Sequence, residues 1–274
     1  MKTKTYCYLL LILSGSSCIT PRSYFMSPMD INSNPYHTLP MALDSRKSAT
    51  YANLALHAGG SNENLRDVVL GGRLSIHRGY QFGNMQAYYG GGLSVGNYHV
   101  QDTYLFRNYL YGGMNDTTYH LLSSNKFFGT YGFNGGMNFV IPFGNGRGEW
   151  RVIGFESSFQ KEFGDYLPYR KHLPDSAANV LESYDHVFTI GGTTEIVAKT
   201  SKGIEIGYKL SLGSVFAPSG YYLRDQSDPH PYYFSHTVHI TQKKVTGFMQ
   251  FNFGLHAASF QFGVNYNLSK RPGL

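Results

Sequence analysis

The stretch "YYFSHTVHIT", residues 232–241, places a serine beside two histidines, the residue types from which a nucleophile and a general base are built. His236 and His239 are three apart, and on a strand an odd separation sends them to opposite faces. They cannot share a metal ion or a triad there. Ser235 and His239 share a face, but about 13 Å of extended chain lies between them, beyond hydrogen-bond reach. "FESSFQ" sets Glu156 and Ser158 on one face without a histidine beside them. The glycine run "YYGGGLSVG" lacks the following helix and the Lys-Ser/Thr ending of a phosphate-binding loop. These stretches predict no catalytic residue, no metal site and no cofactor.

The N-terminus holds a different kind of chemistry. "MKTKTYCYLLLILSGSSCITPRS" begins with Lys2 and Lys4, continues through an apolar core from Tyr8 to Leu13, and reaches the small residues Ser14 to Ser17 before Cys18. That is the three-region order of a secretory signal, predicted to occupy residues 1–17. The run of small residues into a cysteine resembles a bacterial lipoprotein cleavage site, which implies that Cys18 becomes an acylated first residue. Cysteine arithmetic agrees: the chain has two cysteines, and Cys7 lies inside the signal, leaving Cys18 without a disulfide partner after export. Residues 18–49, rich in Pro, Ser and Asn and without strand periodicity, read as an extended periplasmic tether.

Composition describes the remainder. The 274 residues include 23 Tyr, 19 Phe and 32 Gly, and 15% are charged, against roughly 25% in soluble domains. The net charge of +6 is scattered, with no basic helix or zinc-finger spacing, so nucleic acid is not an expected partner. From residue 50 onward apolar residues recur at every second position. Val68, Leu70, Leu74 and Ile76 oppose Gly71, Arg73, Ser75 and His77; Tyr131, Phe133, Met137 and Phe139 oppose Thr130, Gly132, Asn134 and Gly136. The same alternation runs through 85–95, 153–160, 188–198, 204–212, 234–240 and the closing "GFMQFNFGLHAASFQFGVNYNLS", with a weaker first segment at 52–56. About ten strands result, with eight or twelve as neighbouring counts. Their lengths suit tilted membrane strands better than the five or six residues usual in soluble sheets.

Connection lengths alternate too. "RGYQFGN", "PFGNGRG", "KTSKG" and "TQKK" are short, whereas the segments near 97–126, 164–186 and 216–232 are long, and all the long ones fall on one end. On that pattern and the signal, the chain resembles a small lipid-anchored outer-membrane β-barrel protein of Gram-negative bacteria. The resemblance implies an all-β fold, a closed antiparallel transmembrane barrel over residues 50–269, with the N-terminus on the periplasmic side and the long loops outside. The aromatic-rich "FQFGVNYNLS" resembles the terminal strand that barrel-assembly machinery recognises.

In such a barrel Met249, Phe251, Phe260 and Phe262 face lipid, and Gln250, Asn252, Gln261 and Asn265 face the lumen. The lumen also receives Arg73, Glu156, Glu195, Glu205 and Lys209, which must pair because an isolated charge there is costly. Glu195 is expected near Gly207 and diagonal to Lys209 and Glu205. A barrel this narrow is filled by side chains, so no wide pore is predicted. Functionally, the sequence points to a non-enzymatic barrel in contact with outer-membrane lipid, with Tyr-rich loops that suit an envelope protein partner. A solute-channel component and a hydrolase of lipid or peptide are the alternatives.

Overall fold

Alternating apolar and polar residues can serve a strand on both faces only if the two faces meet different solvents, and closing the sheet on itself separates them. The computed structural model describes residues 24–31, 35–41, 47–61, 66–105, 119–173, 180–216, 221–223, 232–254 and 257–269. The predicted signal and Cys18 lie outside the described residues.

Ten antiparallel strands form a closed barrel. They are β2 (Ser48–Ser61), β3 (Asp67–Phe82), β4 (Met85–Val100), β7 (Ser124–Phe143), β8 (Gly148–Phe163), β10 (His186–Lys199), β11 (Glu205–Phe216), β13 (Tyr232–Gln242), β14 (Val245–Gly254) and β15 (Ala257–Asn267). Short elements are not part of the ring: β1 (Tyr24–Phe25), helix α1 (Pro28–Ile31), β5 (Thr103–Leu105), β6 (Tyr119–Leu121), helix α2 (Tyr166–His172), β9 (Val180–Glu182) and β12 (Tyr221–Leu223). The seam pairs the first barrel strand with the last, from Ala257 opposite Ser61 to Asn267 opposite Tyr51. Asn53 Nδ2 donates to Asn265 Oδ1 across it at 3.0 Å. In hydrocarbon each unpaired backbone N–H or C=O costs several kcal/mol, so this pairing is what a membrane position demands.

Every barrel strand contributes to an apolar outer belt. Leu56, Ile76, Leu93, Phe133, Phe155, Ile196, Leu212, Val238, Phe251 and Phe262, one from each strand, are all exposed, with Phe133 at 71%. A continuous ring of this kind exceeds the apolar patches that water-soluble monomers tolerate. The intervening positions, among them Asn53, Arg73, Gln160, Gln250 and Gln261, are buried inside. The turns at 83–84, 144–147, 200–204 and 243–244 lie at one end, and the connections containing β5, β6, α2, β9 and β12 at the other.

The 18–49 stretch departs from the expectation of a tether wherever it is described. At the long-loop end β1 pairs in parallel with β9, which pairs with β12. Helix α1 lies against β14 and β15 on one wall and β7 and β8 on the opposite wall. Residues 35–41 are buried throughout, among luminal side chains. Wall side chains alone do not fill the lumen, contrary to the expectation from the sequence; the chain's own segment occupies it with them.

Candidate functional site

The segment descends the lumen in order. Phe25 packs at the long-loop end with Val69, Tyr98, Phe128 and Leu181. Met29 follows, among Tyr184, Val187, Val215 and Tyr233. Tyr36 stacks on His239 with ring centroids 4.9 Å apart, and its hydroxyl donates to Glu195 Oε1 at 3.4 Å. His37 stacks on Tyr88 at 4.7 Å and meets the edge of His77. The wall then takes up the backbone: His77 Nε2 lies 2.9 Å from Thr38 O, Arg151 Nη2 3.5 Å from Leu39 O, and Gln86 Nε2 donates to Pro40 O at 2.9 Å. Buried carbonyls without a strand ladder need such donors. Gly79 completes the fit, since a Cβ there would stand 2.9 Å from Leu39 Cδ2.

Arg151 is the electrostatic hub. Its Nη1 lies 2.6 Å from Glu195 Oε2 and its Nη2 2.7 Å from Glu149 Oε1. His239 Nε2 reaches Glu195 Oε1 at 2.8 Å, lying over Gly207, where any side chain would collide with the imidazole. Lys209 Nζ lies 2.7 Å from Glu156 Oε2, to which the Tyr88 hydroxyl also donates at 3.3 Å. These charges are almost fully buried, and each is paired, as burial requires.

Of the five charged lumen residues read from the sequence, Glu156, Glu195 and Lys209 enter this network. Arg73 is buried on the lumen face of β3, and Glu205 pairs with Lys199 at 3.1 Å at the short-turn rim. The register differs by two residues from the expected one: Glu195 stands opposite Lys209, not Gly207. The five-residue turn 200–204, with Gly203 at φ +77°, sets that offset.

Arg151 and Glu149 were not legible as lumen residues, and a β-bulge is the reason. Phe139 pairs with Ile153 but Val140 pairs with Arg151, so Val152 is the extra residue. A bulge reverses side-chain parity along a strand. Extending the alternation from Ile153 and Phe155 would send Arg151 into lipid; the bulge returns it to the lumen. Tyr36 and His37, bracketed by Pro35 and Pro40, carry no periodic signal.

A second charged cluster closes the long-loop end. Arg170 of α2 donates to both carboxylate oxygens of Glu162, at 3.0 and 2.7 Å, and to Glu182 O at 2.6 Å. Ser27 is tied to the same acids, its hydroxyl 2.8 Å from Glu162 Oε2 and its amide bonded to Glu182 Oε2. Tyr166 stacks on Tyr98 with centroids 3.9 Å apart. Burial, then the neighbouring Tyr98, pushes the Tyr166 phenol well above its usual range.

The chemistry-bearing stretches follow strand parity. His236 points outward, bonded to the Tyr208 hydroxyl, while His239 points inward. Ser158 Oγ shares a hydrogen bond with Thr189 Oγ1 at 2.7 Å. Among the described residues no group of three or more His, Cys, Asp or Glu is disposed to hold a metal ion. A cavity of about 10 Å³ beside Pro35, His37, Tyr88 and Glu156 has room for a single water.

A closed antiparallel barrel with an apolar exterior and a paired, filled polar interior defines the class: a small β-barrel built to sit in a membrane. No protein-family model matches the chain, and no curated protein matches it by sequence. Similar solved structures include the β domain of the Bordetella autotransporter BrkA, at 11% identity and TM-score 0.42, covering 81% of this chain and all of that one. The translocator domain of the autotransporter NalP from Neisseria meningitidis is 9% identical with TM-score 0.40, covering 80% of this chain and 88% of that one. An outer-membrane channel from Pseudomonas putida F1 is 9% identical with TM-score 0.40, covering 85% and 100%.

Proposed function

We propose that the protein is a non-conducting, non-enzymatic outer-membrane barrel with a structural or interaction role, lipid-anchored through Cys18, whose Tyr-rich loops meet an envelope protein partner. The observation that carries this reading is the occupied lumen: His77, Arg151 and Gln86 each engage a backbone carbonyl of residues 38–40. A pathway for solute would have to break those bonds and the ion pairs behind them. Against a hydrolase, Ser235 and His239 are separated by about 13 Å of strand, beyond hydrogen-bond reach.

Planar-bilayer recording tests the reading. The full chain is expected to give no steady conductance, and a chain with residues 35–41 replaced by Gly and Ser to open stepwise. Open-pore steps from the full chain would favour the solute-channel reading instead. Metabolic labelling with an alkyne fatty acid, lost in Cys18→Ala, tests the anchor, and lipid release sensitive to Ser235→Ala would overturn the non-enzymatic part.

A further inference from the structure

The order of contacts along residues 24–41 fixes a direction. Tyr24 and Phe25 pair with Val180 and Leu181 beyond the long-loop end of the wall. Ser27 is held there by Glu162 and Glu182. Tyr36 is level with Glu195 and His239, well inside, and Pro40 is level with Gln86 and Glu149, each within two residues of a short turn. Ser48 then begins β2 at the short-turn end, opposite Tyr80. The path is therefore a single traverse of the lumen.

We propose that the chain threads its own barrel, entering the lumen at Tyr24 on the side of the long loops and leaving it at the start of β2 on the opposite side. This reverses the sidedness expected from the sequence, which assigned to the N-terminus the side on which the first barrel strand begins. That assignment holds for Ser48 and fails for Tyr24, because the lumen lies between them. Both ends of the traverse are fastened, by the β1–β9 pairing above and by the His77, Arg151 and Gln86 bonds below.

The threading also constrains any lipid on Cys18. From Cys18 to Tyr24 the chain spans at most about 20 Å, less than the roughly 25 Å apolar band of a membrane barrel. Acyl chains there would enter the leaflet on the long-loop side. The inference rests on the barrel spanning a membrane, as read above, but not on which end faces outward.

Three single-cysteine substitutions test it with a membrane-impermeant maleimide, applied to intact and then to permeabilised cells, with the parent chain as background. His172→Cys, at an exposed position of α2, reports the long-loop end, and Lys202→Cys, exposed in the 200–204 turn, reports the other. Ser23→Cys reports the N-terminal chain. Ser23→Cys labelling together with His172→Cys, and apart from Lys202→Cys, is the expected result. Labelling of Ser23→Cys together with Lys202→Cys overturns threading while leaving the barrel intact. If His172→Cys and Lys202→Cys label alike, the barrel does not span the membrane, and the underlying reading falls with the inference.

Discussion

Glu195 and Lys209 stand opposite one another across β10 and β11, yet each carries its charge to a different partner. Glu195 turns to Arg151 on neighbouring β8 and to His239 on β13, and Lys209 reaches past β10 to Glu156 on β8. The network thus ties non-adjacent strands together, which ladder hydrogen bonds alone cannot do. Lys209→Met should strand the Glu156 carboxylate in a buried site and destabilise the barrel by about 3–5 kcal/mol, the usual result of removing one partner of a buried pair. The double change Lys209→Met with Glu156→Gln should recover most of that loss. Urea unfolding of the refolded protein in micelles measures both, and an unchanged midpoint for the single variant would sink the pairing.

Leu39 approaches Gly79 closely enough that the Gly79 Cβ position lies 3.9 Å from Leu39 Cα. Backbones that close make the pair one to test by cross-linking, which needs about 3.5–4.5 Å between the two Cβ atoms. The Leu39→Cys, Gly79→Cys pair should therefore oxidise within the folded barrel and change its gel mobility without reductant. Failure to cross-link under oxidant, in a chain that still shows heat-modifiable mobility, would place the segment outside the lumen.

Phe251 and Gln250 are neighbours in sequence with opposite surroundings, the first exposed on the belt and the second buried inside. Arginine at a lipid-facing position costs about 2–4 kcal/mol near the bilayer midplane. Phe251→Arg should show a loss of that order on folding into vesicles and a much smaller one in water-rich detergent conditions. Equal losses in both would mean that Phe251 does not meet hydrocarbon.

How far the sequence could be read follows from the physics of each part. Period-two alternation is a local property, so strand faces, the ten-strand count and the division of short from long connections were legible from residues such as Leu74, Phe133 and Phe262. Register was less so: the turn 200–204 moved Glu195 by two positions without changing its face. The bulge at Val152 changed the face itself, which hid Arg151 and Glu149. Residues 35–41 were illegible for another reason. Their conformation is dictated by donors on three different strands, His77 on β3, Gln86 on β4 and Arg151 on β8, and a segment shaped by its container carries no period of its own. Gly207 was visible as a small lumen residue and Gly79 as part of a short connection, but what they make room for, His239 and Leu39, was not.

The closure of the long-loop end should depend on pH in the alkaline range. Burial, followed by the charge of Asp67, pushes the Tyr169 phenol up to about 12. Lys126 Nζ sits 4.9 Å from the centre of the same ring. A phenol whose folded pKa exceeds its ordinary value near 10.0 favours the folded state equally with the unfolded one below that pH, where both are neutral. Above it the unfolded form ionises first, so stability falls as pH rises from about 10 towards 12. Tyr169→Phe should flatten that decline, and a tyrosinate absorbance titration should lose a late-ionising component. Proteolysis within residues 164–185, followed across the same pH range, reports whether α2 lifts. If Tyr169→Phe opens at the same pH as the parent chain, Tyr169 is not the group that sets it, and Tyr166, whose phenol is also held neutral by burial, becomes the next to replace with Phe.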